Sequence, residues 1–314
     1  MRRRDPASPR TATPLELLFD LAFVVAFGQA ADQLTHAIVS GHAALGVGGF
    51  IYAITGIASV WVSFTWFGSA FGVDDWAYRL ATMIQMIGVM ILALGLPDFF
   101  RTLESGDSID PRVIIAGYLV MRAATLLQWT RLARQDRGQR RSALQHTLLV
   151  GTSMTGWLGI AITRPTLPLF VLAAVILFLL EITGTRLVEQ RSGEVGWNAH
   201  HIAERFGLLA IIALGEGVFG TVASVNALVG ITGWSFDAVT VVTAGVGLTF
   251  GLWWMYFMTP YGWVLSRFRR KFQPFIYLHF ALYASIVAIG AGLHVAAHAI
   301  EGAAGLEPSP PHSP

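Results

Sequence analysis

Runs of about twenty apolar residues, the length a helix needs to cross a bilayer, recur along the chain with short polar segments between them. Nine such runs begin near Leu15, Ala44, Trp76, Arg112, Ser142, Pro165, Ala203, Phe236 and Phe275. Each extends for on the order of 20–25 residues, so the pattern predicts an all-α, polytopic transmembrane bundle of about nine helices. Residues 1–13 read as a basic tail, 14–301 as a single membrane domain and 302–314, rich in proline, as a flexible end. The first apolar run follows Arg2, Arg3 and Arg4 and ends in small residues, as a secretory leader would. Glu16 and Asp20 interrupt it and eight more runs follow, so it reads as a retained helix. The polar stretch from Val188 to His201 is expected to be a loop dividing six helices from three.

Composition agrees with this and narrows the function classes. Of 314 residues 54% are hydrophobic and 13% charged, against about 25% charged in ordinary soluble domains, and mean hydropathy is +0.59. A soluble enzyme and a disordered chain are both excluded. The net charge of +2 does not point to nucleic acid, because the positive residues sit in clusters between the apolar runs. With the N-terminus placed in the cytoplasm, sixteen of the 21 Lys and Arg fall in inside segments, and only Arg101, Arg112 and Arg164 fall outside. That asymmetry orients the chain with its N-terminus on the cytoplasmic side. The absence of cysteine removes disulfides and thiolate chemistry. No phosphate-binding loop, dinucleotide fingerprint or nucleophile elbow occurs in the strand context such motifs need, so no cofactor is expected.

Three stretches carry a family likeness. Leu15-Glu16-Leu17-Leu18-Phe19-Asp20-Leu21-Ala22-Phe23-Val24 resembles the opening helix of the bacterial low temperature requirement A proteins. His201-Ile202-Ala203-Glu204-Arg205-Phe206-Gly207-Leu208, continuing through Leu214-Gly215-Glu216-Gly217, resembles that family's most specific motif, and Trp253-Trp254-Met255-Tyr256-Phe257, His279 and Gly292-Leu293-His294 add to the match. The resemblance implies a multi-pass bacterial membrane protein whose family is named for cold growth, with no established biochemical activity. It also implies one or two further helices beyond the point where this chain turns into Pro-Ser-Pro-Pro.

Ionisable side chains inside the apolar runs are the functional candidates, since each costs about 2.5–3.5 kcal/mol at the centre of a spanning helix unless it is paired or faces protein or water. Glu16 and Asp20 lie four apart and share a face of the first helix. With Glu204 and Arg205 they are expected to form one inner layer, with Arg205 reaching Asp20 or Glu16. His279 is placed where it can join them. Arg205 and Glu216 are eleven residues apart, so they share a face of the seventh helix, separated by roughly 16 Å of rise. Arg122 lies at a depth matching Glu216, and Glu181 in the inner half of the sixth helix. Asp32 with His36, and His294 with His298, are spaced four apart at similar depth, which makes them the only metal candidates, against a plain reading as residues of a wet boundary. The aromatic stretches from Trp61 to Phe71 and from Trp253 to Phe257 read as interfacial belts. Gly88, Gly95 and Gly117 permit close helix approach.

These residues fit a secondary transporter or channel-like permease, in which buried carboxylates and Arg122 line a route for a proton, an ion or a small solute. They also fit an integral membrane enzyme acting on a lipid-linked substrate, or a structural or sensory protein whose charges only lock helices together. The lipid bilayer is the one partner common to all three readings.

Overall fold

The computed structural model describes residues 10–71, 74–106, 108–192 and 196–305, the last four of these as backbone alone. The expected tails before residue 10 and after 305 lie outside the described residues. Among the described residues there are nine long helices: α1 (Pro14–Val39), α2 (Ala43–Phe71), α3 (Trp76–Ser105), α4 (Arg112–Gln135), α5 (Arg140–Thr163), α6 (Leu167–Ser192), α7 (Ala199–Thr232), α8 (Phe236–Phe257) and α10 (Phe272–Gly305). A short α9 (Tyr261–Arg267) and one 3₁₀ turn precede α10. Among the described residues eight segments are long and apolar enough to cross a membrane. Helix α5 has the length, but Gln145, His146, Thr147, Thr152, Ser153 and Thr155 dilute its apolar character.

Helix starts follow local chemistry. Thr13 caps α1 in a reciprocal box with Glu16, and Pro14 occupies the first helical position. Asp75 caps α3, Asn198 caps α7 and Ser235 caps α8, each accepting a backbone N–H three residues on. The expected loop from Val188 to His201 is shorter than its polarity suggested. α6 continues to Ser192 and α7 starts at Ala199, because Glu189, Gln190 and Arg191 are good helix formers that extend a helix beyond its apolar part.

Helix α1 is the hub, packing on α2, α3, α7 and α10, while α7 packs on α1, α2, α8, α9 and α10. On the other side α3, α4, α5 and α6 pack in sequence. Glycine brings α3 and α4 into backbone contact: a Cβ on Gly88 would lie 2.7 Å from the Gly117 carbonyl oxygen, and one on Gly95 would lie 2.6 Å from the Ile114 nitrogen. The α2 aromatics are not an interfacial belt. Trp61, Phe64, Trp66, Phe67 and Phe71 are all buried and build the core against α1, α4 and α7, so hydropathy located them in depth but not around the helix. Trp253 and Trp254 of α8 are exposed, as a belt requires, whereas Tyr256 beside them is buried.

Candidate functional site

Three polar constellations lie inside the bundle. The first ties α1 to α7 near the end that carries the N-terminus. Arg205 is fully buried and donates from Nη2 to Asp20 Oδ1 at 2.5 Å and from Nε to Asp20 Oδ2 at 3.1 Å, a two-point clasp. Trp61 Nε1 donates to the same Asp20 Oδ1 at 2.6 Å, and the Arg205 guanidinium lies 5.6 Å from the Trp61 ring. Glu16 accepts from the Thr13 backbone at 2.8 Å and from Arg10 Nη2 at 2.6 Å, and its Oε1 lies 3.5 Å from Arg205 Nη1. His201 Nε2 stands 3.3 Å from Glu16 Oε2. The expected reach of Arg205 to the α1 carboxylates is thus present. Two acids face two guanidiniums, and the cluster balances.

Glu204 is not part of this layer. It is exposed, because the residue before Arg205 points about a quarter turn away from it. His201, one turn before Arg205 on the same face, takes the place expected of Glu204. The spacing of four in His201 and Arg205 carried that signal, unread. His279 also stays apart from the carboxylates. Its Nδ1 donates to the Phe275 carbonyl at 2.8 Å, leaving Nε2 to accept from Tyr256 Oη at 3.1 Å, within a cage of Phe206, Phe275, Tyr256, Tyr261 and Tyr283 rings.

The second constellation decides the partner of Arg122, which shares its depth with Glu216. Arg122 is buried and pairs instead with Glu181 of α6. Its Nε donates to Tyr118 Oη at 2.8 Å and its Nη1 to Ser63 Oγ at 3.2 Å. Glu181 also accepts short hydrogen bonds from Tyr118 and Ser153, and one of 3.3 Å from Trp157 Nε1. Equal depth did not decide the partner; the azimuth of each helix did. This pair balances as well, and it stands on the wall of a cavity of about 130 Å³ between α2, α4, α5, α6 and α10. The cavity runs from Thr55, Arg122 and Glu181 at mid-helix toward Glu189 and Gln273 at the end of the bundle that carries the N-terminus.

The third constellation is Glu216. Its side chain is 5% exposed, and it is wedged between glycines of two neighbouring helices. A Cβ on Gly28 of α1 would lie 3.3 Å from Glu216 Oε1, and one on Gly290 of α10 would lie 2.7 Å from Glu216 Cβ. Among the described residues no cation pairs with Glu216 and no side chain donates to it. Asp32, one turn beyond Gly28 on α1, is exposed.

Asp32, His36, His294 and His298 are not gathered into a ligand set. Asp32 and His36 are exposed, His298 approaches Glu301 at 3.8 Å on its own helix, and among the described residues no three His, Asp or Glu side chains come together as metal ligands. Sharing a face within each helix does not make two helices turn those faces toward each other.

The family model described as Bacterial low temperature requirement A protein (LtrA) matches residues 11–312. An uncharacterised protein of Rhizobium meliloti (strain 1021) is 27% identical over 268 residues, which is 82% of this chain. The chain spans 60% of the length of that relative. No solved structure matches it.

Proposed function

The chain belongs to the Bacterial low temperature requirement A protein family, a multi-pass integral membrane protein, and on that premise we propose that it is a secondary permease of the bacterial inner membrane. Its N-terminus lies in the cytoplasm, and Glu216 carries the proton or cation that it moves.

One observation carries this reading. Of the three acids buried within spanning helices among the described residues, Glu16 and Asp20 are balanced by guanidiniums, as is the half-buried Glu181, and Glu216 is not. A carboxylate in that position needs a counter-charge from outside the fold, and intramembrane acids of this kind mark proton and ion routes. Gly28 keeps the side of α1 clear of the carboxylate, and Gly290 lets α10 pack closely on the Glu216 backbone. Asp32 marks where an ion leaving it meets solvent at the far end of α1.

The test is flux in proteoliposomes under an imposed pH gradient, over a panel of monovalent cations and anions. Saturable flux that Glu216→Gln abolishes, with the melting temperature unchanged, supports the permease. Wild-type flux in the mutant refutes it. The cavity beside the loosely packed α6 is also what a membrane enzyme with a lipid-linked substrate requires. Absence of flux together with turnover of an added lipid-linked substrate would favour that second reading.

A further inference from the structure

The cavity that ends at Arg122 and Glu181 has its own chemistry, separate from that of Glu216. Four hydroxyls on its wall have already spent their hydrogens on helix carbonyls. Ser59 donates to the Gly56 oxygen at 2.8 Å, Ser63 to that of Ser59 at 2.9 Å, Thr125 to that of Met121 at 3.1 Å and Thr185 to that of Glu181 at 2.8 Å. A hydroxyl has one hydrogen and two lone pairs, so what these groups offer a ligand is acceptor oxygen. The Arg122 charge at the inner end is cancelled by Glu181.

His146 adds a further acceptor. It is 3% exposed, and its Nδ1 lies 3.0 Å from the Ser142 carbonyl. A carbonyl can only accept, so Nδ1 carries the proton and Nε2 the lone pair. Among the described residues that Nε2 has no hydrogen-bond partner, and neither has the Nε1–H of Trp66, whose ring centroid is 5.4 Å from that of His146. Both atoms are enclosed by protein, so a hydroxyl reaches them as the two rings turn toward the cavity, and an acceptor beside a donor then suits a hydroxyl, which takes one bond and gives the other. Trp66, Phe178, Tyr277 and Phe280 supply aromatic surface, which favours an ammonium over a neutral group of the same shape. The volume of about 130 Å³ is close to that of an engineered cavity in another protein, of about 150 Å³, that holds one benzene.

We propose that this cavity is a binding site for a small hydroxylated organic cation, the quaternary or primary ammonium lying among the aromatic rings and acceptor oxygens and the hydroxyl between Trp66 and His146. The proposal goes beyond the permease reading and stands without it, since a binding site needs no flux.

The experiment is isothermal titration calorimetry on the purified full chain in detergent, with four probes. They are choline, its uncharged isostere 3,3-dimethylbutan-1-ol, the anion 3,3-dimethylbutyrate, and tetramethylammonium, which lacks the hydroxyl. Choline is expected to bind at least about tenfold more tightly than the neutral isostere, and the anion not at all. His146→Phe keeps a ring against Trp129 and is expected to weaken choline about tenfold while leaving tetramethylammonium unchanged. Thr185→Val, which removes only a hydroxyl bonded within its own helix, is the second variant should His146→Phe fail to fold, and it is expected to weaken both cations. No choline binding, equal binding of the neutral isostere, or tighter binding of the anion overturns the proposal. Equal weakening of both cations by His146→Phe overturns its hydroxyl arm. Binding without flux leaves this site standing and counts against the permease.

Discussion

Replacing Arg205 with Met tests whether the α1–α7 clasp holds the bundle. Arg205 is fully buried, and its removal strands Asp20 and Glu16, each 1% exposed, opposite an apolar side chain. Asp20 keeps only the 2.6 Å bond from Trp61 Nε1, and Glu16 keeps Arg10 and Thr13. The loss therefore falls mainly on Asp20, a buried carboxylate left without its cation, for which truncation of one partner costs about 3–5 kcal/mol. At about 2–4 °C per kcal/mol for a chain of moderate size, the melting temperature in detergent should fall by roughly 10 °C. Asp20→Asn removes the stranded charge, so Asp20→Asn with Arg205→Met should be milder than the sum of the two single changes, by a coupling of about 1–3 kcal/mol. Thermal unfolding of the four proteins, followed by intrinsic fluorescence, closes the cycle. A single mutant within about 1 kcal/mol of wild type, or strict additivity, would show that the clasp contributes little and that Arg205 is held there for another reason.

Three further outcomes are expected. Gly28→Val places carbon where Glu216 Oε1 now lies 3.3 Å from a Cβ position, so proteoliposome flux should drop several-fold while the melting temperature changes by less than that of Arg205→Met; unaltered flux would detach Gly28 from the route. Hydrogen bonds from Arg131 hold the Asp75 carboxyl down at about 2, below the unfolded value of about 3.9. The pair therefore stabilises above pH 4 and loses its contribution as pH falls through about 2. Asp75→Asn, which keeps the helix cap, should cost about 0–1 kcal/mol at neutral pH because the pair is partly exposed, and less toward pH 3, as read from melting curves across that range. Finally, the cysteine-free chain permits single-cysteine labelling in intact cells. Ser108→Cys should react with an impermeant maleimide and Gln139→Cys only after permeabilisation, and the reverse would invert the orientation proposed from the arginine clusters.

Much of the architecture was legible because membrane insertion leaves a one-dimensional record. The run beginning at Trp76, and those at Arg112 and Phe236, start where α3, α4 and α8 start. α1 and α2 begin one residue ahead of Leu15 and Ala44. What hydropathy does not record is rotation about each helix axis. That is why equal depth leaves open whether Arg122 faces Glu216 or, as it does, Glu181, and why Glu204 does not join Arg205 although the two are adjacent in sequence. The same ignorance of azimuth made the Trp61–Phe71 aromatics look like a belt. Short α9 lacked a signal of its own, since the apolar run of α8 continues almost unbroken through Pro260 into Tyr261–Arg267.

The family stretches divide into two physical roles once charges are counted cluster by cluster. Glu16 and Asp20 with Arg10 and Arg205 sum to zero, as do Arg122 and Glu181, and a balanced, hydrogen-bonded cluster in low dielectric fixes geometry and resists change. Helices α1 and α7 both start at the end that carries the N-terminus and pack directly on one another, so the clasp between Asp20 and Arg205 also sets the register farther along. Gly28 lies about two turns beyond Asp20, and Glu216 about three turns beyond Arg205. The clasp is therefore what brings Glu216 onto the glycine. If the permease proposal holds, the two roles need each other: without the balanced layer Glu216 has no fixed place, and without Glu216 the layer orders a bundle that has nothing to exchange.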